Sequence, residues 1–147
     1  MKIIQQDMLE IQSGVLFHQV NCIGVMGGGI AYALAKKFPG LEKAYKEFCD
    51  DNIEFDTSSL LGKVFVFKVN DDLFIANIFG QDNVSTGSRQ TSYDATVMAF
   101  ELIQDSAYAD MTLYFPYKMG CGLGGGNWNI YSAIIEEHFP NAIICKQ

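Results

Sequence analysis

The spacing of hydrophobic and polar residues divides the chain into alternating strands and helices. Short segments that are apolar at every second residue, or apolar throughout, are typical of β-strands. An apolar residue at every third or fourth position instead indicates a helix, as at Ile30, Leu34 and Phe38. The predicted strands cover residues 2–6, 14–20, 63–69, 73–79, 112–117 and 141–145. The predicted helices cover residues 28–38, 41–49, 91–104 and 127–138.

This order of elements predicts the fold class. Strands interleaved with helices are typical of an α/β protein whose sheet lies between two layers of helices. The turn Asn70-Asp71-Asp72 brings the strands before and after it close enough to pair antiparallel, so the sheet should be mixed. We therefore expect a three-layer α/β/α sandwich with a mixed central sheet. A length of 147 residues suits one domain, residues 1–147, with one core.

Composition and charge narrow the functional classes. Hydrophobic residues make up 49% of the chain, which is enough for a sizeable core and argues against disorder. The formal net charge of −7 argues against nonspecific binding to nucleic acid, which depends on basic patches. No apolar run reaches the roughly 20 residues of a membrane span. The amino terminus is too polar for a signal peptide, so we expect a soluble, cytoplasmic protein without a membrane partner.

The cysteines give no sign of a metal site. Cys22, Cys49, Cys121 and Cys145 are scattered and form no C-x-x-C pair. A structural zinc site needs closely spaced ligands, and a disulfide framework belongs to oxidising compartments. We therefore expect reduced thiols, no metal and no cofactor.

Two glycine-rich segments, residues 24–29 and 120–126, each follow a predicted strand and precede a predicted helix. Ligands of α/β proteins bind at these strand-to-helix loops. Glycine lets the backbone approach a ligand closely, and the following helix offers unpaired N–H groups and a partial positive charge. Two such loops predict a cradle for a diphosphate, or for a diphosphate and a further phosphate. For either loop alone, a tight turn with close helix–sheet packing explains the glycines equally well.

Two common phosphate-binding motifs do not fit these loops. A P-loop needs Gly-Lys followed by Ser or Thr, whereas Gly62-Lys63 is followed by Val64. A dinucleotide-binding fingerprint would need glycine or alanine at the position of Tyr32, and its acidic residue should end a following strand. A second helix follows here instead.

Taken together, the motifs resemble those of the macrodomain family, whose members bind ADP-ribose. The matching segments run in the family's order along nearly the whole chain. They are Asp7, N-x-x-G-x-x-G-G-G-I-A at 21–31, N-I-F-G-Q at 77–81, T-x-Y at 91–93 and G-C-G-L-x-G-G-x-W at 120–128. The run H-x-x-N-C-x-G-x-x-G-G-G-I-A-Y-x-L-A from His18, with L-L-G-K at 60–63, is most similar to the branch that removes phosphate from ADP-ribose 1″-phosphate.

The resemblance implies a ligand, a reaction and a set of site residues. The expected activity is hydrolysis of ADP-ribose 1″-phosphate to ADP-ribose and phosphate. Asp7 is expected to accept a hydrogen bond from the adenine amino group, and Asn21 to bind the distal ribose. The full set of expected ligand-binding residues is Asp7, Met8, Asn21, Gly27, Gly28, Gly29, Ile30, Gln81, Gly120, Cys121, Gly122, Leu123, Gly124 and Gly125.

His18 and Asp82 are the candidates for chemistry. A histidine can pass a proton to a leaving alkoxide or from an attacking water, or can itself attack phosphorus. The alternative for His18 is a hydrogen-bonded core residue, because it lies in an alternating strand. Asp82 follows the N-I-F-G-Q strand and is the best-placed acid, whereas Asp94 at a helix start is explained by the helix dipole. Cys121 is not expected to act as a nucleophile.

Two other functions remain open. One is a non-catalytic module that binds ADP-ribose or ADP-ribosylated protein. The other is a hydrolase that removes ADP-ribose from modified proteins. The related branch with that activity has an aspartate after G-C-G-L and a lysine near the end of the fourth strand. This chain has Gly124 at the first position and no lysine from Ile78 through Gln90.

Overall fold

The computed structural model describes residues 1–85 and 87–147, where the chain forms six strands and four α-helices. The strands are β1 (Lys2–Gln5), β2 (Gly14–Val20), β3 (Val64–Lys68), β4 (Leu73–Phe79), β5 (Leu113–Pro116) and β6 (Ile143–Lys146). The α-helices are α1 (Gly29–Lys37), α2 (Leu41–Asn52), α3 (Tyr93–Gln104) and α4 (Trp128–His138). Short 3₁₀ segments, which the periodicity does not predict, lie at Met8–Glu10, Thr57–Leu60 and Ala107–Asp110. None of the helices in these residues is long and apolar enough to cross a membrane.

The strands form one mixed sheet in the order β1-β6-β5-β2-β4-β3. The pairs within β1-β6-β5-β2-β4 are parallel, and β3 pairs antiparallel with β4. This confirms the predicted hairpin between β3 and β4. Helices α1 and α2 cover one face of the sheet, and α3 and α4 cover the other. The expected three-layer α/β/α sandwich is therefore confirmed.

Strand β2 divides the core into two halves. Leu16 and Val20 pack beneath α1 and α2, whereas Val15 and Phe17 pack beneath α3 and α4. Successive side chains of a strand point to opposite faces, so a central strand with helices on both sides is apolar throughout. Phe17 stacks on Phe115 with ring centroids 4.2 Å apart. Both faces of the sheet are thus covered by apolar contacts with the helices.

Several predicted boundaries differ from the observed ones, and capping explains two of them. Helix α3 begins at Tyr93 rather than at Thr91, because the Ser92 side chain caps it and Thr91 instead bridges to Gln81. Helix α4 begins at Trp128 because Asn127 is its N-cap. Helix α2 continues three residues past the predicted end at residue 49. Of the predicted polar loop 82–90, residue 86 lies outside the described residues.

The parallel strands bring the candidate residues together. Because β1, β2, β4, β5 and β6 all point the same way, the segments that follow them meet at one edge of the sheet. Asp7 follows β1, residues 21–28 follow β2 and residues 117–127 follow β5. This edge, formed by the carboxyl ends of the strands, is the candidate functional site.

Candidate functional site

The amino terminus of α1 is open to solvent. Gly28 is its N-cap in an extended conformation, no side chain caps the helix, and its first turn carries no acidic residue. The first amides of a helix have no partner within the helix, and they carry its partial positive charge. Gly27, Gly28 and Gly29 are exposed. The sequence Gly-Gly-Gly-Ile therefore forms an uncapped helix start that can accept an anion.

The loop 120–126 also presents backbone donors. The amide of Gly126 donates to the carbonyl of Gly120 over 2.9 Å, and that of Gly125 donates to the carbonyl of Gly122 over 3.0 Å. These bonds fold the loop back on itself. Within residues 1–85 and 87–147, no acceptor takes the amides of Gly122, Leu123 and Gly124. They are free to donate to a ligand.

The first amides of α4, the helix after the second loop, are not available to a ligand. The expectation of two open helix starts is therefore wrong for α4. The Asn127 side chain accepts from the amides of Asn129 and Ile130, over 2.8 and 3.4 Å. The amide of Asn127 donates to the Tyr93 hydroxyl. Because asparagine is among the strongest N-caps, the start of α4 is satisfied by the protein itself.

Packing of the fold requires some of the glycines in the two loops but not others. A Cβ on Gly120 would lie 2.6 Å from the Tyr131 ring, and one on Gly124 would lie 2.5 Å from the Thr91 hydroxyl. Packing alone therefore requires glycine at these two positions. A Cβ on Gly28 would come no nearer than 3.7 Å to Leu123, and one on Gly122 would meet nothing within 4 Å among the described residues. Neither Gly28 nor Gly122 has a positive φ, so the fold itself does not demand glycine there.

The two loops face each other. The Cδ1 atom of Leu123 lies 3.7 Å from the Cβ position of Gly28, and the Leu123 side chain is 68% exposed. The two loops are therefore neighbours at this edge of the sheet. Glycine at positions 28 and 122 leaves the backbone there without a side chain of its own, which suits a ligand that approaches the backbone closely.

An open groove of about 380 Å³ adjoins the start of α1. It brings together four predicted site residues, Asp7, Met8, Gly29 and Ile30. The other residues that line it are Gln6, Leu9, Ala33, Pro116, Tyr117, Cys145, Lys146 and Gln147, which sequence reasoning missed. They come from α1, from β5 and β6, and from the segments that follow β1, β5 and β6, so only the tertiary fold makes them neighbours.

Asp7 is half-buried in the wall of this groove and has a structural contact as well. Its Oδ1 atom accepts from the Leu9 amide over 2.9 Å and caps the segment Met8–Glu10. The carboxylate lies beside the apolar side chains of Met8 and Ile30. A carboxylate acceptor next to apolar walls suits a flat ring that carries an N–H donor.

His18 does not reach the groove. Its side chain is fully buried, and its Nε2 lies 2.5 Å from Oδ1 of Asn77, its partner on β4. Nδ2 of Asn77 donates to the Phe65 carbonyl, so Oδ1 is the acceptor and Nε2 of His18 carries the proton. Within the described residues Nδ1 has no partner.

Burial also sets the charge of His18. Desolvation lowers its pKa to about 4, against a smaller opposing effect of the hydrogen bond to Asn77. The imidazole is therefore neutral at pH 7. This geometry corresponds to the core-residue alternative, and a direct role of His18 on substrate stays a prediction.

Asn21 shapes its own loop. Its Oδ1 accepts from the amides of Ile23 and Val25 and from the Tyr45 hydroxyl, over 3.1, 3.2 and 2.8 Å. Its Nδ2 donates to the Val25 carbonyl over 2.7 Å. Asn21 is 6% exposed, so its amide fixes the path into the start of α1 rather than presenting itself to a ribose.

Asp82 is also hydrogen-bonded to other residues of the protein. Its Oδ1 accepts from the Thr57 hydroxyl over 2.7 Å, and its carbonyl accepts from the Cys22 amide over 2.9 Å. The structure therefore places Asp82 beside the loop after β2 but does not pair it with His18, whose ring bonds to Asn77. A role of Asp82 in catalysis is a prediction as before.

A partly buried polar network holds the second loop, and the sequence motifs point to only two of its side chains, Gln81 and Thr91. Gln19 Nε2 donates to Gln81 Oε1 and to the Thr91 hydroxyl, over 2.8 and 2.9 Å. The Thr91 hydroxyl donates to the Gly120 carbonyl, and its amide donates to the Gly124 carbonyl. The Tyr131 hydroxyl completes the network by donating to Gln19 Oε1. The sequence signal for its remaining polar member is Gln19, which follows His18 in a strand whose other residues are apolar.

The Cys121 thiol lies within the second loop and is half-buried. Its Sγ donates to the Met119 carbonyl, and burial raises its pKa. A raised pKa reduces the thiolate fraction, so Cys121 is a poor nucleophile. Within the described residues no group of three or more His, Cys, Asp or Glu side chains could hold a metal ion.

The chain is similar in sequence to known proteins. No protein-family model matches the chain. An ADP-ribose 1″-phosphate phosphatase of Lodderomyces elongisporus is 37% identical over 136 residues, which cover 86% of this chain and 81% of that protein. An ADP-ribose 1″-phosphate phosphatase of Saccharomyces cerevisiae is 36% identical over 94 residues, 61% of this chain. The chain spans about half of that protein, 51%.

Solved structures share the fold. A Bacteroides thetaiotaomicron protein of unknown function has 30% identity and a TM-score of 0.84, with 99% of this chain and 96% of that chain covered. The macrodomain of Mycobacterium tuberculosis DarG has 24% identity and a TM-score of 0.74, over 98% of this chain and 95% of that chain. Thermosipho africanus DarTG, solved in complex with ADP-ribose, has 18% identity and a TM-score of 0.78, over 98% of this chain and 40% of that chain. With these folds and the Lodderomyces relative, the chain belongs to the macrodomain family.

Proposed function

We propose that the protein binds ADP-ribose and hydrolyses ADP-ribose 1″-phosphate to ADP-ribose and phosphate. The observation that carries the proposal is the uncapped start of α1 facing the free amides of residues 122–124, next to the groove that contains Asp7. This arrangement offers an anion site and a base-binding groove side by side. The activity named for the Lodderomyces relative supports the same reaction.

The proposed binding mode follows the order of groups in the ligand. The adenine ring lies in the groove, with its amino group donating to Asp7. The diphosphate lies at the amides of Gly29 and Ile30, where the helix dipole stabilises negative charge. The distal ribose and its 1″-phosphate then lie towards Gly122 and Leu123. Each phosphate thus meets backbone donors, and the site needs no arginine or lysine to hold the diphosphate.

In the proposed reaction, water adds to phosphorus and the bond between phosphorus and the C1″ oxygen breaks. The water loses a proton, and the C1″ oxygen gains one. Fixed amides of the second loop hold the phosphoryl oxygens and stabilise the charge that builds on them, and much of the rate comes from this positioning. The proposed proton carrier is His18, which would need contact with the cleft to act directly.

The first experiment measures phosphate release from ADP-ribose 1″-phosphate by the purified protein and by His18→Gln. If His18 transfers the proton, we expect kcat to fall about 100-fold or more in the variant, the usual contribution of a general acid or base. His138→Gln, which changes the other histidine, serves as the matched control and should keep full activity. A melting curve of each variant shows whether His18→Gln still folds.

The burial of His18 and the Thr57 contact of Asp82 favour a second candidate, a module that binds ADP-ribose without hydrolysing it. Calorimetry with ADP-ribose separates the two. Binding of ADP-ribose without any phosphate release would leave the binding module and reject the phosphatase. Release that persists in His18→Gln would keep the phosphatase and reject His18 as its proton carrier.

A further inference from the structure

The ammonium groups of two lysines lie near one aromatic ring in the wall of the groove. The Lys146 ammonium lies 4.7 Å from the centre of the Tyr117 ring, and the Lys118 ammonium lies 5.6 Å from it. Tyr117 and Lys146 both line the groove, on the side formed by β5 and β6. Trp128 packs edge-on against Tyr117 at 5.3 Å and supports the ring. We call Tyr117, Lys118 and Lys146 the basic wall.

The basic wall is positive in an acidic protein. The chain carries 17 acidic and 10 basic residues, so acidic side chains outnumber basic ones. Lys37, Lys46 and Lys68 do pair with carboxylates. Among residues 1–85 and 87–147, no carboxylate forms an ion pair with Lys118 or Lys146. The two ammonium groups therefore keep their capacity to bind an anion.

The backbone at Lys118 is also unusual. Its φ of 61° is in the left-handed region, the one such non-glycine residue in the described part of the chain. A residue with a Cβ loses roughly 1 kcal/mol or more there, which glycine would avoid. The strained turn is held by hydrogen bonds from Met119 to Pro116 and from Cys121 to Lys118. The fold thus keeps a lysine where the backbone alone favours glycine, and its side chain is directed to the wall.

We propose that the basic wall binds a second phosphate on the adenosine ribose, so that the site prefers ADP-ribose that carries a 2′-phosphate. This rests on the proposed function, which places the adenosine in the groove. The adenosine ribose joins a base at Asp7 to a diphosphate at α1, and therefore lies along the groove beside the basic wall. A phosphomonoester there is dianionic near neutral pH, and lysine ammonium groups bind such a group as point charges.

Calorimetric titration with ADP-ribose and with 2′-phospho-ADP-ribose tests the preference. We expect the phosphorylated ligand to bind about three- to tenfold more tightly, the range for two solvent-exposed charge contacts. Raising the salt to about 0.5 M should bring the ratio of affinities towards one, because ions screen exposed charges. Lys146→Gln and Lys118→Gln should each lower the ratio, and Lys146→Arg should retain it.

Lys43→Gln is the matched control, because it removes the same charge from an exposed position on α2, which packs near β3 at the other end of the sheet. It should leave both affinities as in the wild type. Equal affinity for the two ligands, or a preference that Lys146→Gln leaves intact, would overturn the basic wall while keeping the proposed function. Failure of both ligands to bind would overturn both. If Lys118→Gln does not fold, Lys146→Gln decides alone.

Discussion

At the scale of single residues, surroundings decide what each polar group can do. His18 and Asn77 meet inside the sheet, where desolvation keeps the imidazole neutral. Asp7 is half-buried in the groove wall, where its carboxylate can accept a hydrogen bond from a ligand. Asn21 lies at the same edge, but its amide is used by its own loop. The residue type alone does not tell which of these side chains can bind a ligand.

The pKa of His18 makes the stability of the fold depend on pH. It is lowered from 6.5 to about 4 in the native state, so the unfolded chain binds more protons between these values. His18 therefore has no effect above about pH 7, and the free energy of unfolding falls as the pH drops from 6.5 towards 4. The shift corresponds to about 3 kcal/mol.

Urea unfolding of the wild type and of His18→Gln at pH 7 and pH 4.5 measures this dependence. The variant should lose less stability between the two pH values, because carboxylates titrate equally in both proteins. His138→Gln, the control, should follow the wild type. An equal loss in wild type and His18→Gln would show that the buried imidazole does not govern the acid response.

At the scale of elements, two similar segments have different roles. Both α1 and α4 follow a glycine-rich loop, but α1 begins uncapped and α4 is capped by Asn127. At the second loop, the free hydrogen-bond donors are therefore the loop's own amides and not those of the helix after it. The network of Gln19 and Thr91 holds the loop in shape. In the proposed function, the loop and α1 together form the anion site.

Alanine at two glycines of the second loop should separate binding from folding. Gly122→Ala adds a Cβ in open space, so we expect little change in Tm but a loss of ADP-ribose affinity of about tenfold or more, roughly 1.4 kcal/mol. Gly124→Ala places a Cβ 2.5 Å from the Thr91 hydroxyl and should destabilise the fold by about 1–3 kcal/mol.

Thermal melting and calorimetry on the same two preparations make the comparison. Unchanged affinity in Gly122→Ala would remove the second loop from the ligand site. A Tm of Gly124→Ala equal to that of the wild type would mean that Thr91 and its loop adjust more easily than the packing suggests.

At the scale of the whole molecule, the five parallel strands of the mixed sheet place the candidate site at one edge. The carboxyl ends of β1, β2, β5 and β6 carry the groove and both glycine loops. The opposite edge has its own open groove of about 550 Å³, between α3, β5 and the end of α4. Among residues 1–85 and 87–147, only the first edge combines free helix amides with an acceptor carboxylate.

Hydrogen exchange with and without ADP-ribose should therefore show a one-sided response. A bound ligand protects the amides that it contacts, and at 100 times its Kd it stabilises the fold by about 2.7 kcal/mol. We expect slower exchange at residues 28–31 and 122–124. Residues 109–113 and 138–142, at the opposite groove, should change only through the global stabilisation. Protection centred on that groove instead would place the ligand site at the wrong edge.

Local patterns in the sequence were enough to predict the layers of the fold and the positions of its loops. Apolar periodicity reports burial, and burial of one stripe per helix and both faces of a central strand leads to a sandwich. The order of motifs also pointed to the family and to Asp7, Met8, Gly29 and Ile30, which the fold does bring together.

The three-dimensional arrangement was needed to tell which of the polar candidates lie in the groove and which are used inside the protein. A histidine in β2 has the same sequence signature whether its ring meets the cleft or Asn77, 59 residues away. Gln19 bonds to Thr91, 72 residues further along the chain, and Thr91 bonds directly to the second loop. Tyr117 meets Lys146 only because β5 pairs with β6. Such contacts depend on strand order and packing, which local periodicity does not encode. The physical reason is that a side chain's pKa, exposure and partners are properties of its three-dimensional surroundings.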